Sequence, residues 1–132
     1  MVTMHGIHVH GFPNMFLVNP AHGANLISNI PSNLSDTANT IATIVSHVES
    51  IGADTVEVTA EAETDWVDML EKGGRRFGGA ADCTPGYYNN EGIDSGRRGI
   101  LNTLGYPDGP GAFFEYIEQW RNAGDFEGLT IE

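Results

Sequence analysis

The chain has 132 residues, a length typical of a single domain, and its content of 40% hydrophobic and 18% charged residues is that of a globular protein. The formal net charge of −12 argues against nucleic acid and anionic membranes as partners, because both are bound through clusters of Lys and Arg. The single cysteine, Cys83, excludes an intramolecular disulfide and favours a reducing compartment. The sequence has no secretory leader and no apolar run of roughly 20 residues, so we expect a soluble, cytoplasmic protein.

Charged residues are distributed unevenly along the chain. The first 35 residues contain no Asp, Glu, Lys or Arg, whereas the rest of the chain holds all 18 acidic and all 6 basic residues. Charged side chains are rarely buried, so a charge-free segment is typical of a core or of a surface that something else covers. We therefore expect residues 1–35 to be shielded from water.

Four histidines lie in this charge-free segment. The alternation over residues 5–10 predicts a short strand with histidines on one face and apolar residues on the other. Imidazole binds zinc and copper, so a metal site is one interpretation. We favour a polar strand edge or entry loop, because no carboxylate or thiolate lies nearby to complete a metal site. The histidines are His5, His8, His10 and His22.

Residues 11–23 predict a strand, a polar loop and the approach to a helix. Residues 15–18 form a continuous apolar run, which predicts a strand buried on both faces, and Asn19-Pro20 breaks this run. In open α/β sheets, ligands bind where the carboxyl end of a strand leads to a helix N-terminus. The break is therefore a candidate ligand site.

A long helix is predicted from Asn29 or Ile30 to Gly52, with Pro31 in its first turn. Apolar residues recur along it at three- and four-residue spacing, which predicts one stripe facing the core. The stripe consists of Leu34, Ala38, Ile41, Ala42, Val45 and Val48, widened by Ile44 and Ile51.

A strand and a second helix follow. Alternation over residues 55–59 predicts the strand, and Thr59 is placed to cap a helix that continues to Glu71 or Lys72 before Gly73-Gly74 ends it. The buried face of this helix is predicted to consist of Ala62, Trp66, Met69 and Leu70.

The last helix is predicted to begin at Asp108 or Gly109, with Pro110 in its first turn, and to end at Gly124. Residues 128–131 predict a short closing strand. The apolar stripe of the helix consists of Phe113, Tyr116 or Ile117, and Trp120.

Residues 75–109 predict a long, Gly-rich irregular stretch, and loops of this length in compact domains are usually functional or disordered. The adjacent Tyr87 and Tyr88 favour an ordered loop that holds a planar ligand. Cys83 lies in the same loop. We interpret it as an inert thiol rather than a nucleophile, because no His or basic residue lies near it in sequence to lower its pKa.

The order of several motifs resembles one enzyme family. The motifs are Gly11-Phe-Pro-Asn-Met-Phe; Thr55-Val-Glu-Val-Thr; Glu-Ala-Glu-Thr-Asp-Trp66; Cys83-Thr-Pro-Gly-Tyr-Tyr-Asn-Asn-Glu-Gly; and Phe-Phe-Glu-Tyr-Ile-Glu-Gln-Trp120. Together they resemble the C-terminal part of FAD- and NADPH-dependent flavoprotein monooxygenases of the Baeyer–Villiger type, the relatives of cyclohexanone and phenylacetone monooxygenases. The resemblance runs from about Gly6 to the end of the chain.

The resemblance implies an α/β fold, which is α+β for the chain in isolation. Residues 1–52 would supply the last strand, the flavin-facing loop and a helix of a Rossmann-like FAD-binding domain. Residues 53–132 would form a helical, loop-rich C-terminal segment. The activity implied is insertion of oxygen next to a ketone, or oxidation of a heteroatom, with FAD, NADPH and O2.

The resemblance also implies cofactor contacts. The loop from Asn19 to Asn25 would run beside the isoalloxazine ring, the turn at Asn29 would direct N–H groups toward the flavin's pyrimidine edge, and Tyr87 would cover the nicotinamide or substrate cleft. The implied cofactor-binding residues are Asn19, Pro20, His22, Gly23, Asn29 and Tyr87; no catalytic and no metal-binding residue is implied.

The chain also departs from the family pattern. It has no Gly-x-Gly-x-x-Gly motif for the pyrophosphate of either dinucleotide, and the family's long fingerprint and active-site Arg are absent. Asn19-Pro20 stands where many relatives have Gly-Pro. We therefore expect a fragment that is inactive until the missing FAD- and NADPH-binding portion is supplied. The alternative is a small noncatalytic module that binds a planar ligand or a partner protein.

Overall fold

The computed structural model describes residues 2–19, 21–24, 28–76, 84–86, 91–93, 96 and 103–132. The elements whose bounds lie in this part are α1 (Ile30–Ile51), β1 (Val56–Val58), α2 (Ala60–Gly73), β2 (Arg75–Arg76), β3 (Leu104–Gly105), α3 (Pro110–Ala123) and β4 (Leu129–Ile131). The coarse expectation of mixed helices and strands is confirmed. The described strands form two antiparallel pairs, β1 with β4 and β2 with β3, so this part of the chain is α+β.

The helix ends follow the capping residues that the sequence predicted. The Asn29 side chain accepts a hydrogen bond from the Ser32 N–H at the start of α1, and Gly52 ends the helix with a left-handed φ of 70°. The Thr59 side chain caps α2 by accepting from the Ala62 N–H. Pro110 opens α3, and Gly124 ends it with φ 74°. The predicted bounds of α1 and α3 are confirmed, and α2 begins as predicted but continues to Gly73, beyond the predicted end at Glu71 or Lys72. Local capping chemistry sets these bounds.

The core joins the N-terminal segment to the C-terminal elements. Its buried hydrophobic residues come from segment 2–24, from all three helices, and from β1 and β3. Trp66, Leu70, Phe113 and Trp120 are buried as predicted, and Ile117 is fully buried where Tyr116 or Ile117 was expected. Ala62 and Met69 are partly buried, and Val67, which the periodicity missed, is buried.

The predicted strand over residues 15–18 does not form in the described part of the chain. Only Phe16 forms a bridge, with His8, while the Leu17 N–H donates to the Ile7 carbonyl at 2.8 Å. Val18 remains 57% exposed. A strand buried on both faces needs neighbouring strands and layers on each side, and the described part of the chain supplies a single short contact.

The predicted alternating strand over residues 5–10 is also wrong. Residues 4–8 form a tight turn in which Met4 and His8 exchange backbone hydrogen bonds of 3.0 and 3.1 Å. His5 and Gly6 have left-handed φ values of 59° and 77°. A Cβ at Gly6 would lie 2.5 Å from the Ala21 carbonyl oxygen, so glycine is needed both for the turn and for the approach of the following loop.

The predicted core stripe of α1 is largely wrong. Leu34 is 38% exposed and Val45 39% exposed, and Ala38 and Ala42 are exposed as well. Of the predicted residues, Ile44 and Val48 are buried, and the other buried residues of the helix are Asn33, Thr37 and Thr40. The helix is rotated so that a mixed polar and apolar stripe faces the interior, with the Thr40 hydroxyl bonded to the Asp36 carbonyl and to Arg121.

Candidate cofactor-facing loop

The sequence predicts a cofactor-facing loop over residues 19–25, and the structure describes residues 19 and 21–24 of it. The Asn19 side-chain oxygen accepts the Ala21 N–H at 2.9 Å, which closes a local turn. His22 follows with a left-handed φ of 64°. The structure brings Asn19, His22 and Gly23 together in this loop, and Asn29 caps α1 beyond it. Pro20 and Tyr87 lie outside the described residues.

Backbone hydrogen bonds to β3 and Tyr106, and one side-chain hydrogen bond from α2, fix this loop. The His22 N–H donates to the Leu104 carbonyl at 2.9 Å, and the Tyr106 N–H donates to the Gly23 carbonyl at 3.0 Å. The Trp66 indole N–H donates to the His22 carbonyl at 2.9 Å. The sequence reasoning placed Trp66 in the core and missed this contact, although a buried indole N–H ordinarily needs an acceptor.

Close packing also restricts Gly23. A Cβ at this position would lie 2.9 Å from the Phe113 ring and 3.1 Å from the His5 carbonyl oxygen. The loop therefore sits directly on α3 and on the N-terminal turn. The conformation of the loop at Gly23 is therefore fixed by contacts within the chain.

Histidines from the charge-free segment are buried in an aromatic cluster. His5 is 2% and His8 3% exposed. The His5 ring lies 4.5 Å from the Trp66 ring and 5.0 Å from the Trp120 ring, centroid to centroid. Its Nε2 is 3.1 Å from the Tyr116 hydroxyl. The expectation that this segment is shielded from water therefore holds for residues 3–8.

The four histidines do not converge on a metal site. The His22 Nδ1 lies 2.8 Å from the Thr3 hydroxyl, and the exposed His10 donates from Nδ1 to the Val58 carbonyl at 2.9 Å. Among the described residues, no group of three or more His, Cys, Asp or Glu side chains is arranged to hold a metal ion.

Burial sets the charge state of the two histidines in the cluster. Desolvation holds the pKa of His5 well below its usual value of 6.5, and the neighbouring His8 lowers it further. Desolvation alone lowers the pKa of His8 to about 4. Among the residues that the structure describes, neither His5 Nδ1 nor His8 Nε2 has a hydrogen-bond partner. Both rings are therefore neutral at pH 7, and protonating either one would bury an unpaired charge.

An open groove lies away from the loop. It has a volume of about 530 Å³ and runs between the C-terminal half of α1 and the end of α3, where its lining includes Ser46, His47, Arg121 and Phe126. None of Asn19, His22, Gly23 and Asn29 lines it.

In the part of the chain that the structure describes, no helix is both long and apolar enough to cross a membrane.

No protein-family model matches the chain. Individual relatives match it over nearly its whole length. The chain is 43% identical to an FAD-binding monooxygenase of Hypomyces subiculosus over 133 residues, which cover 96% of this chain and 21% of the relative. It is 37% identical to Baeyer–Villiger monooxygenase 4 of Dietzia sp. strain D5, with 98% of this chain and 21% of the relative covered.

Solved structures agree with these relatives. The fold matches the polycyclic ketone monooxygenase from the thermophilic fungus Thermothelomyces thermophila with a TM-score of 0.79 and 25% identity, covering 100% of this chain and 21% of that one. It also matches a steroid monooxygenase bound to NADP with a TM-score of 0.70 and 22% identity, covering 99% of this chain and 23% of that one. The second likeness shows the fold alone.

These matches place the chain among segments of flavoprotein monooxygenases. More particularly, it is a relative of the C-terminal part of the Baeyer–Villiger type, which confirms the resemblance seen in the sequence motifs. The chain spans about a fifth of the length of the curated relatives it matches.

Acid is expected to destabilise the fold through the two buried histidines. Their pKa values are lowered in the folded state, so below pH 6.5, and down to about pH 4 in the case of His8, the unfolded chain binds more protons than the folded chain. Stability contributed by the neutral rings is complete above pH 6.5 and falls by about 1.4 kcal/mol per pH unit for each histidine as the pH drops below that value. Urea unfolding at pH 8, 6.5 and 5 measures this slope.

Two variants separate the histidine contribution from that of the carboxylates. His8→Phe removes one titrating ring and should make the loss of stability between pH 6.5 and 5 shallower. Asn39→Gln changes an exposed side chain that does not titrate and should leave that loss unchanged. Equal slopes for the wild-type chain and His8→Phe would show that His8 is not a source of the acid sensitivity.

Proposed function

We propose that the chain serves as the C-terminal part of a flavin-dependent monooxygenase that inserts oxygen next to a ketone or oxidises a heteroatom with FAD, NADPH and O2. In this proposal the chain is inactive by itself, and its partner is the FAD- and NADPH-binding portion of the enzyme, in the cytoplasm. The observation that carries the proposal is the match of nearly the whole chain to about a fifth of an FAD-binding monooxygenase.

Exposed apolar side chains support a missing partner portion. Phe12 is 56% and Val18 57% exposed, and both lie in the charge-free first 35 residues. Exposed apolar side chains that lie close together in sequence are typical of a surface that another protein region covers. In the proposal, residues 1–52 complete the FAD-binding domain, with residues 15–18 joining its sheet, and residues 53–132 form the C-terminal segment.

The start of α1 suits an electron-rich ligand. A helix N-terminus attracts negative charge, and α2 satisfies this attraction with Glu61 and Glu63 in its own first turn. The first turn of α1 contains no acidic residue and is capped by Asn29. We propose that this end faces the flavin's pyrimidine edge, where negative charge develops on reduction.

The loop of residues 19–24 is proposed to run beside the isoalloxazine ring. Asn19 and Gly23 would present fixed backbone to the ring, while His22 would act through the left-handed turn that it forms, since its own side chain is bonded to Thr3. Pro20 in this loop and Tyr87 above the nicotinamide or substrate cleft remain proposed contacts. FAD, when bound, supplies the redox chemistry and oxygen activation, and the chain's residues position it and exclude water.

A noncatalytic module is the second candidate. The observation that favours it is the core shared by segment 2–24, the three helices and the strands, because such a core is what a chain needs to fold by itself. This candidate binds a planar ligand or a partner protein and contains no flavin.

A chimera tests the proposed function. The Hypomyces relative, with its aligned residues replaced by this chain, is expected to retain FAD and to oxidise NADPH in a ketone-dependent manner. The isolated chain is expected to do neither. Visible flavin absorbance after gel filtration and the rate of NADPH consumption are the measurements. A folded chimera that retains no flavin would contradict the proposal and favour the noncatalytic module.

A substitution in the exposed segment tests the role of residues 11–18. Val18→Lys should change the unfolding free energy of the isolated chain by no more than about 0.5 kcal/mol, because the side chain is exposed, yet it should lower the flavin content of the chimera. Ile51→Lys is the matched control, since Ile51 is 56% exposed and a cation is tolerated at a helix C-terminus. Equal flavin content in the two variants would mean that Val18 is not covered in the longer enzyme.

A further inference from the structure

An apolar stripe lies on the solvent side of α1. Leu34 and Val45 are 38% and 39% exposed, Ala38 is exposed and Ile41 is half-buried. These residues follow one another at spacings of four, three and four, so they share one face of the helix. We call Leu34, Ala38, Ile41 and Val45 the α1 stripe. The neighbouring face, with Ile44 and Val48, already fills the core of this chain.

Helix α1 carries little charge for a chain with a net charge of −12. The 22 residues of α1 include only two charged side chains, Asp36 and Glu49. Asp36 is paired with Arg121 at 2.8 Å, on the side of the helix that faces α3. Solvated helix faces ordinarily carry charged residues, so an apolar face of this length is typical of a protein interface.

We propose that the α1 stripe is the surface on which the cofactor-binding portion of the monooxygenase packs. This inference rests on the proposed function and adds the contact surface. The relatives indicate which region would cover the stripe, because about four-fifths of their length lies outside the part that matches this chain. The stripe and the exposed residues Phe12 and Val18 then belong to the surfaces that this larger portion covers.

A second copy of the chain is a poorer occupant. Two copies would each bring a net charge of −12, which disfavours self-association. A stable interface buries about 800 Å² on each partner, and four side chains of this size, two of them about two-fifths exposed, fall well short of it. A portion several times larger than this chain can cover the α1 stripe together with further surface.

Paired lysine substitutions test the stripe. Ala38→Lys with Val45→Lys places two cations on it, whereas Asn39→Lys with Ser46→Lys adds the same charge to exposed positions about 120° around the helix. In the isolated chain both pairs should leave the unfolding midpoint nearly unchanged. In the chimera the stripe pair should lower the midpoint by about 5 °C or more, because unpaired charges would be buried, and the control pair should not.

The outcomes separate this inference from the proposed function. A chimera that retains flavin and tolerates both lysine pairs equally would overturn the α1 stripe as an interface and leave the function standing. A chimera without flavin would contradict the function, while its unfolding midpoints would still show whether the stripe is buried. Analytical ultracentrifugation of the isolated chain adds a further check: a dimer that only the stripe pair dissociates would assign the surface to a second copy and overturn the inference.

Discussion

The structure depends on Trp66, which ties the N-terminal segment to the rest of the chain. Its ring lies 4.5 Å from His5 and 5.4 Å from Tyr116, and it is stacked on Tyr106 at 5.8 Å. Its indole N–H donates a hydrogen bond to the His22 carbonyl. One side chain on α2 therefore fixes the N-terminal turn, the loop of residues 19–24 and the face of α3 together. Trp66 combines the burial of a large aromatic ring with a hydrogen bond from its indole N–H. These two interactions at one residue hold the candidate loop in one conformation.

The charge-free segment falls into two physically different parts. Residues 3–8 are buried against the chain's own aromatic rings, where a charged group would be costly and neutral histidines are tolerated. Phe12 and Val18 remain exposed, and so does the α1 stripe, which begins at Leu34 within the charge-free segment. The lack of charge is explained by the chain's own core in the first part. In the second it is explained by the proposed contact with a larger cofactor-binding portion.

Features that depend on interactions between residues close in sequence were predicted correctly. Features that depend on contacts between residues far apart in sequence were not. Asn29, Thr59 and Gly124 set the helix ends through hydrogen bonds and φ values within a few residues, so the helix bounds were predictable. The strand at residues 15–18 does not form here because strands require partner strands. The predicted face of α1 was wrong because packing against α3 selects a different face. The loop of residues 19–24 was predictable from its turn residues. Its anchoring by Trp66 and Tyr106 was not, since those contacts join residues far apart in sequence.

Amide hydrogen exchange at Phe16 and Val18 tests the central claim, that exposed apolar surface of this chain is covered in a longer enzyme. The intervening Leu17 N–H is already bonded to Ile7, so in an extended segment the amides of Phe16 and Val18 point to the opposite side. The account predicts rapid exchange at both amides in the isolated chain and exchange at least about 100-fold slower in the chimera with the Hypomyces relative. Equally rapid exchange in the two proteins would contradict it.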